Sequence, residues 1–186
     1  PGGDDAHRLL GEVLAEQGQT EDALAELRRA IALRPNYWRN HSSLGNVYFR
    51  KGRYDEAIAA FLRVTELQPD NARGFQMLGT AHQAKGELDQ ALASYESAIR
   101  ITPLASAYSN MGTIHYGAGL YEKAAQAYEK AIALDPTSPA RHRNLGDAYR
   151  RLGQAEKARQ GYARARELTL AMLSVNPKDA RALGMV

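Results

Sequence analysis

Five histidines and several close carboxylate pairs are the residues of this sequence whose types suit catalysis or metal binding. A histidine titrates near neutral pH and serves as general acid, general base or metal ligand. Here all five stand at fixed offsets from glycines. His7, His41 and His142 lie four residues before Gly11, Gly45 and Gly146, and His82 and His115 lie three residues after Gly79 and Gly112. No partner pattern accompanies them: there is no H-E-x-x-H, no Gly-x-Ser-x-Gly elbow and no Gly-rich phosphate loop. Gly117 and Gly119 form a G-x-G with no third glycine and no preceding strand. The carboxylates of Asp4-Asp5, Asp55-Glu56 and Glu87/Asp89 fall where helices are expected to start, so capping and the helix dipole account for them. Zero cysteines exclude disulfides, thiolate metal sites and thiol nucleophiles, and fit a reducing compartment. The expectation is a chain that is not an enzyme, with no catalytic residue, no metal and no cofactor.

The elements that must position these residues repeat along the chain. A glycine after an apolar residue (Leu or Met) recurs at Gly11, Gly45, Gly79, Gly112 and Gly146, with steps of 34, 34, 33 and 34. A second glycine follows seven residues later each time (Gly18, Gly52, Gly86, Gly119, Gly153), and an alanine twelve residues after the first (Ala23, Ala57, Ala91, Ala124, Ala158). Prolines keep the same step at Pro35, Pro69, Pro103 and Pro136. The stretch from Trp38 to Pro69 shows the unit most clearly. Each unit predicts two helices. Leu44, Gly45 and Tyr48 share one helical stripe, the second glycine supplies the left-handed stop, and acidic residues such as Asp55 and Glu56 open the next helix. Ala57 and Phe61 form its buried stripe, and proline ends it. Frequent Ala, Leu, Glu and Arg favour helix, while scarce Val and Thr argue against a large sheet.

Two departures carry information. One residue is missing near Pro103-Leu104-Ala105, which predicts a shorter turn. In the fifth unit Leu170 stands where proline is due and Pro177 comes seven residues late, about two helical turns, which predicts a longer last helix. Residues 180–186 then read as the start of a truncated sixth unit. The opening PGGDDAHRLLG has no basic cluster and no apolar core, so it reads as a cut from a longer chain rather than a signal peptide. No apolar run approaches the ~18–20 residues that span a bilayer, and a cytoplasmic location is expected. Asn40-His41-Ser42 matches a glycosylation triplet, read as chance without a secretion signal.

The order of an aromatic, Leu-Gly, Tyr, Ala, an aromatic, Ala and Pro resembles the tetratricopeptide repeat. It is clearest at Leu44-Gly45 with Tyr48, at Phe75 before Leu78-Gly79, and at Leu145-Gly146 with Tyr149. The resemblance covers about residues 4–176. It implies an all-α fold, a right-handed superhelical solenoid of tandem antiparallel helix pairs, forming a single domain over residues 1–186. The repeats would lie at about 4–37, 38–71, 72–104, 105–138 and 139–179. The histidines then occupy ring positions packed between helices.

On each first helix, positions −6, −3, +1 and +4 from the glycine form a stripe that packing does not dictate. It runs through Asp5, Arg8, Glu12 and Ala15; Arg39, Ser42, Asn46 and Phe49, with Arg50 beside them; and Arg73, Gln76, Thr80 and Gln83. It continues through Ser106, Ser109, Thr113 and Tyr116, with Asn110 adjacent, then Ala140, Arg143, Asp147 and Arg150, with Asn144 adjacent. The bland alternative is a solvated helix face. The resemblance implies that the stripe lines a concave groove holding an extended peptide or a partner helix. In it Asn and Gln would bond peptide backbone, Arg would fork onto carboxylates, and Phe49 and Tyr116 would be apolar anchors. Weak, salt-sensitive binding of acidic or carboxylate-ended peptides is expected, motivated by Arg8, Arg39, Arg73 and Arg143. Chaperone-binding members use a Lys/Asn/Asn/Lys/Arg set, which Ser42 and Met77 break. A glycosyltransferase-type asparagine ladder, present at Asn110 and Asn144, is broken by Ser43 and Met77.

Charge is uneven. Residues 139–176 carry Arg141, Arg143, Arg150, Arg151, Lys157, Arg159, Arg164 and Arg166 against Asp147, Glu156 and Glu167, so this segment is +5 and the remainder of the chain −2. Either a solvated face or a docking site for an acidic partner fits. Aromatics are not interleaved with these cations as single-strand nucleic-acid binding would want, so nucleic acid is not the expected partner. Exposed terminal repeats would allow a homo-oligomer. The function expected is a non-catalytic protein–protein interaction scaffold. The alternative is the partner-recruiting region of a larger multidomain enzyme or signalling protein.

Overall fold

The computed structural model describes residues 3–175, and every regular element among them is an α-helix. They form two compact units, the first ending at Thr102 and the second beginning at Pro103. The first holds α1 (Gly3–Glu16), α2 (Thr20–Leu33), α3 (Trp38–Arg50), α4 (Tyr54–Leu67), α5 (Ala72–Lys85) and α6 (Leu88–Ile101). The second holds α7 (Ala105–Gly117), α8 (Tyr121–Leu134), α9 (Pro139–Arg151) and α10 (Ala155–Val175). Within each unit, successive helices pack as pairs: α1 on α2, α3 on α4 and α5 on α6, then α7 on α8 and α9 on α10.

Helix ends follow from local chemistry. Gly52 has φ of 72°, the left-handed region that favours glycine, and the Arg53 N–H donates back to the Tyr48 carbonyl at 3.0 Å. The same back-bond recurs after Gly18, Gly86, Gly119 and Gly153. The second helices stop two residues before Pro35, Pro69, Pro103 and Pro136, because the residue before a proline is pushed out of helix. With Leu170 in that place, α10 runs for 21 residues. Pro177 and the sixth-unit segment lie outside the described residues. Residues 102–104 separate α6 from α7, one fewer than separates α2 from α3, α4 from α5 and α8 from α9, as the missing residue predicts.

Asp55, Glu56, Asp89 and Glu122 sit in the first turns of their helices rather than at the N-cap, and Glu87, which is the N-cap residue of α6, makes no side-chain cap bond. Their role there is the dipole and ion pairing, not the cap expected for them. Asn71 is the residue that does cap, accepting from the Gly74 N–H at 3.0 Å.

The core of the first unit gathers Leu24, Leu27, Val47, Tyr48, Ala57, Phe61, Leu78 and Ala81; that of the second gathers Ala124, Ala125, Tyr128, Ala148, Tyr149 and Ala158. Close approach inside each pair rests on the first glycine. A Cβ on Gly45 would stand 2.5 Å from the Phe61 ring, and one on Gly146 would stand 2.8 Å from the Tyr162 ring. Consecutive pairs are tied by polar contacts. The Asn40 amide donates to the Ala30 carbonyl at 3.0 Å, and the Arg28 guanidinium to the Tyr48 hydroxyl at 3.0 Å. Asn40 is fully buried, so the glycosylation triplet is closed to a glycan in the folded chain. His41 and His142 each bond through Nε2 to the carbonyl of the proline six residues earlier, at 2.7 Å and 3.0 Å. A carbonyl only accepts, so Nε2 carries the proton in both.

Gly45→Leu or Ala57→Leu is expected to lower stability by ~1–3 kcal/mol through overpacking; an unchanged melting temperature would contradict the packing. A second prediction concerns Asp135, which joins α8 to α9. Bonds from the Thr137 hydroxyl at 2.6 Å, from Arg141 and from the Thr137 N–H at 3.1 Å hold its carboxyl down to about 2. A folded-state value below the unfolded one stabilises at pH above the unfolded value and is lost as pH falls through the folded one. The stability gap between wild type and Asp135→Asn should therefore be constant near neutral pH and shrink between about pH 4 and pH 2. Melting curves across that range check it.

Candidate functional site

In the first unit, α1, α3 and α5 present their stripes to one concavity of about 530 Å³. Of the residues singled out by sequence, Arg8, Arg39, Ser42, Asn46, Phe49, Arg73, Gln76 and Thr80 line it together. Arg50 borders a smaller hollow beside it, shared with Glu12, Asn46 and Phe49. Trp38, Met77, Phe61 and Val64 also line the main concavity and were not on the expected stripe. Trp38 was readable as the residue before Arg39. Phe61 and Val64 were not, because they belong to the second helix and show their edges only through the gap beside the glycines.

The lining residues differ in how committed they already are. Arg8 donates to Asp5 at 2.8 Å and to Glu12 at 3.1 Å, and Glu12 also accepts from the Ser43 hydroxyl at 2.5 Å. The Arg8 bond holds the Asp5 carboxyl below the usual range, with the fields of Arg8, Arg34 and Arg39 adding to it. Arg8 is thus neutralised by its own helix. Arg39 lies over the Trp38 ring at 5.3 Å, and neither Arg39 nor Arg73 makes an ion pair among the described residues; both are exposed. Phe49 rests against Tyr54, with ring centroids 5.7 Å apart, and Ser42 donates weakly to the Met77 sulfur at 4.0 Å.

Part of the stripe belongs to the fold. The Tyr95 hydroxyl lies 2.8 Å from the Gln83 side-chain oxygen and 3.2 Å from the Thr80 hydroxyl. In the second unit the Tyr128 hydroxyl bonds Thr113 at 3.2 Å, and Tyr162 donates to Asp147 at 2.9 Å. Burial pushes both phenols up, and the Asp147 acceptor adds to the effect on Tyr162, so each stays a donor. Thr113 also donates to the Ser109 carbonyl, Arg150 lies 3.6 Å from Asp147, and Tyr116 meets Tyr121 edge-on at 5.4 Å. Ser109, Asn110 and Asn144 are half-buried, and Arg143 is exposed. A separate hollow in this unit, lined by Glu129, His142, Tyr149 and Lys157 among others, contains no stripe residue. There Tyr149 donates to Glu129 and Lys157 lies over the Tyr149 ring; burial and the carboxylate raise that phenol to about 12.

The histidines are placed structurally. His7 bonds Glu26 at 2.5 Å and His82 bonds Glu87 at 2.7 Å, each linking the two helices of one pair. Lys85 adds ion pairs to Glu87 at 2.5 Å and to Asp55 at 2.7 Å, and with His82 lowers the Glu87 carboxyl. Among the described residues no group of three His, Asp or Glu side chains is placed to hold a metal. No described helix is long and apolar enough to cross a membrane.

Comparison with known proteins points one way. A family model described as tetratricopeptide repeat matches residues 8–72 and 43–106, more than half of the chain, and a TPR repeat model matches residues 112–153. Among solved structures, MamA 41-end from Desulfovibrio magneticus RS-1 is 23% identical with a TM-score of 0.80, covering 92% of this chain and 97% of that one. TTC0263, a thermophilic TPR protein of Thermus thermophilus, is 23% identical with a TM-score of 0.70 over 98% of both chains. PilF of Pseudomonas aeruginosa is 20% identical with a TM-score of 0.77, covering 98% of this chain and 88% of that one. At these identities the likeness speaks for the fold. A search of curated proteins found no match.

Proposed function

The chain belongs to the tetratricopeptide repeat family, and from that premise we propose that it is a non-catalytic scaffold holding an acidic or carboxylate-ended peptide in the concavity of α1, α3 and α5. The family fold supports protein–protein interaction in general. The choice of ligand rests on one observation: Arg39 and Arg73 line the same concavity, exposed and without ion-pair partners among the described residues. Guanidinium groups fork onto carboxylates, and two that are not neutralised internally attract an anion. Arg8, paired with Asp5 and Glu12, drops out of the binding set. Arg143 is also exposed but belongs to the second unit and does not line this concavity.

An array of immobilised 12-residue peptides, half rich in Asp and Glu and half with free C-terminal carboxylates, tests this. Binding to acidic or carboxylate-ended members is expected, weakening as salt rises. Arg39→Ala/Arg73→Ala should reduce it by about tenfold or more, the scale of losing hydrogen bonds between charged groups. Equal binding before and after the double change would sink the proposal.

A further inference from the structure

Where one helix pair stacks on the next, the second helix of the earlier pair covers one stripe of the later first helix. Val47 of α3, two residues past Gly45, is only 2% exposed and shares a core with Leu24 of α2. Ala81 of α5 and Ala148 of α9, at the same offset, are fully buried. In α1 that offset falls on Val13, which is 49% exposed. Ala6, Leu9 and Leu10 complete the stripe at helical spacing and are exposed as well. Thus α1 carries an interior type of surface that no described helix covers. On the last pair, α10 carries Arg159, Ala163, Arg166 and Leu170 along one stripe, all exposed. Ala163 stands at the offset of Arg28 and Glu129, the residues through which α2 and α8 reach Tyr48 and Tyr149 of the next first helix. Arg159 and Arg166 stand where α2 has Leu24 and Ile31. Arg166 makes no ion pair among the described residues, and Arg159 pairs only with Glu156 of its own helix.

We infer that the α1 stripe of one copy docks on the α10 stripe of a second copy, head to tail, in the register that α2 and α3 use within one chain. Charge selects this occupant. Residues 3–34 hold seven acids (Asp4, Asp5, Glu12, Glu16, Glu21, Asp22, Glu26) against four arginines, while residues 139–176 are +5. Opposite signs draw head to tail, whereas two α1 faces meeting each other would repel. The internal register is antiparallel: Asn40, early in α3, bonds the Ala30 carbonyl late in α2, and Arg53, just past α3, lies 3.9 Å from Glu21 early in α2. Ala6 corresponds to Asn40 and Ala165 to Ala30. The same register therefore brings Arg166 to the first turn of α1, beside Asp5, and Arg159 to its last turn, beside Glu16. Glu16 is exposed and makes no ion pair among the described residues. The arginine stems lie along Leu9 and Val13 while their guanidinium groups reach the carboxylates. A purely solvated end face would have no use for Ala163 and Leu170 between the cations. The contact joins two different surfaces, so each copy keeps one free and growth passes beyond the dimer. It is separate from the peptide ligand proposed above.

Sedimentation velocity of the whole chain over a range of concentrations tests this. Species larger than the dimer should appear as concentration rises and dissociate as salt rises. Val13→Glu blocks the head, and Arg159→Glu/Arg166→Glu blocks the tail. Each variant alone should be monomeric with an unchanged melting temperature, because all three side chains are exposed. Mixed together, the two should form a one-to-one dimer and stop there, since the first retains its tail and the second its head. Glu16→Arg and Arg159→Glu should each weaken association by about tenfold, and the two changes combined in one chain should restore most of it. Should Val13→Glu fold poorly, Leu9→Lys blocks the same stripe. A wild-type chain that stays monomeric at every concentration would overturn the inference. So would dimers of the tail-blocked variant by itself, which would mean that α1 pairs with α1. A mixture no larger than its components would overturn it too. Peptide binding in the array is read separately, so either reading can fail without the other.

Discussion

The close approach of two helices across a glycine is the constraint on which the rest depends. Gly45 lies so near the Phe61 ring that even one added carbon would have to displace it. The same proximity recurs at Gly11, Gly79, Gly112 and Gly146, each against the residue sixteen positions later. Interior packing is dense, so such contacts admit little adjustment. Once that contact is fixed, the rotation of the first helix is fixed with it. Residues on the glycine's side are buried, and the neighbouring stripe is turned outward. In the first unit this orients α1, α3 and α5 so that their stripes converge on one hollow.

Orientation alone does not make a binding residue, because a side chain already bonded within the protein has little left to offer. Arg8 and Arg39 both belong to the stripe, yet their states differ. Arg8 is gripped by Asp5 and Glu12, three and four residues away on the same helix, the spacing at which helical side chains meet. Arg39 has no acid at those distances and instead lies against Trp38. Thr80 and Asp147 are claimed by phenols, while Asn46 is not. The hollow thus contains a small uncommitted set inside a larger satisfied one.

This split explains what was legible in the sequence. The repeat step, the left-handed glycines, the short 102–104 turn and the long α10 depend on local backbone chemistry, which residue identity nearly determines. The fixed offsets of the histidines mark positions beside neighbouring helices and turns, where His7 and His82 bond carboxylates and His41 and His142 bond proline carbonyls. The stripe was legible as a set of positions. Its division was not, because a side chain's partner depends on rotamers and on residues of another helix. Part of that division did have a signal. Tyr95, Tyr128 and Tyr162 against Phe61 is a pattern visible at the repeat spacing, and Arg8 between Asp5 and Glu12 is visible on a helical wheel. Phe61 and Val64 entered the site through three-dimensional proximity, for which the repeat supplies no rule.

Phe61 shows that packing against the glycine and polarity beside the stripe are set separately. The fold asks its position for a large apolar group: Leu27, Phe61 and Tyr95 are all essentially buried in equivalent contacts with a glycine. The hydroxyl is a further property that the packing does not require. Where it is present it lies against the stripe residue and ties down a polar group that solvent or a partner would otherwise meet. Where it is absent the stripe residue is free of that bond, as at the exposed Asn46, whose carboxamide solvent can reach without a desolvation penalty. A repeat array contains this choice once per helix pair, with neighbours interacting only at their shared faces. A single oxygen atom therefore decides, pair by pair, whether the stripe residue is tied to the second helix, while the packing against the glycine stays the same.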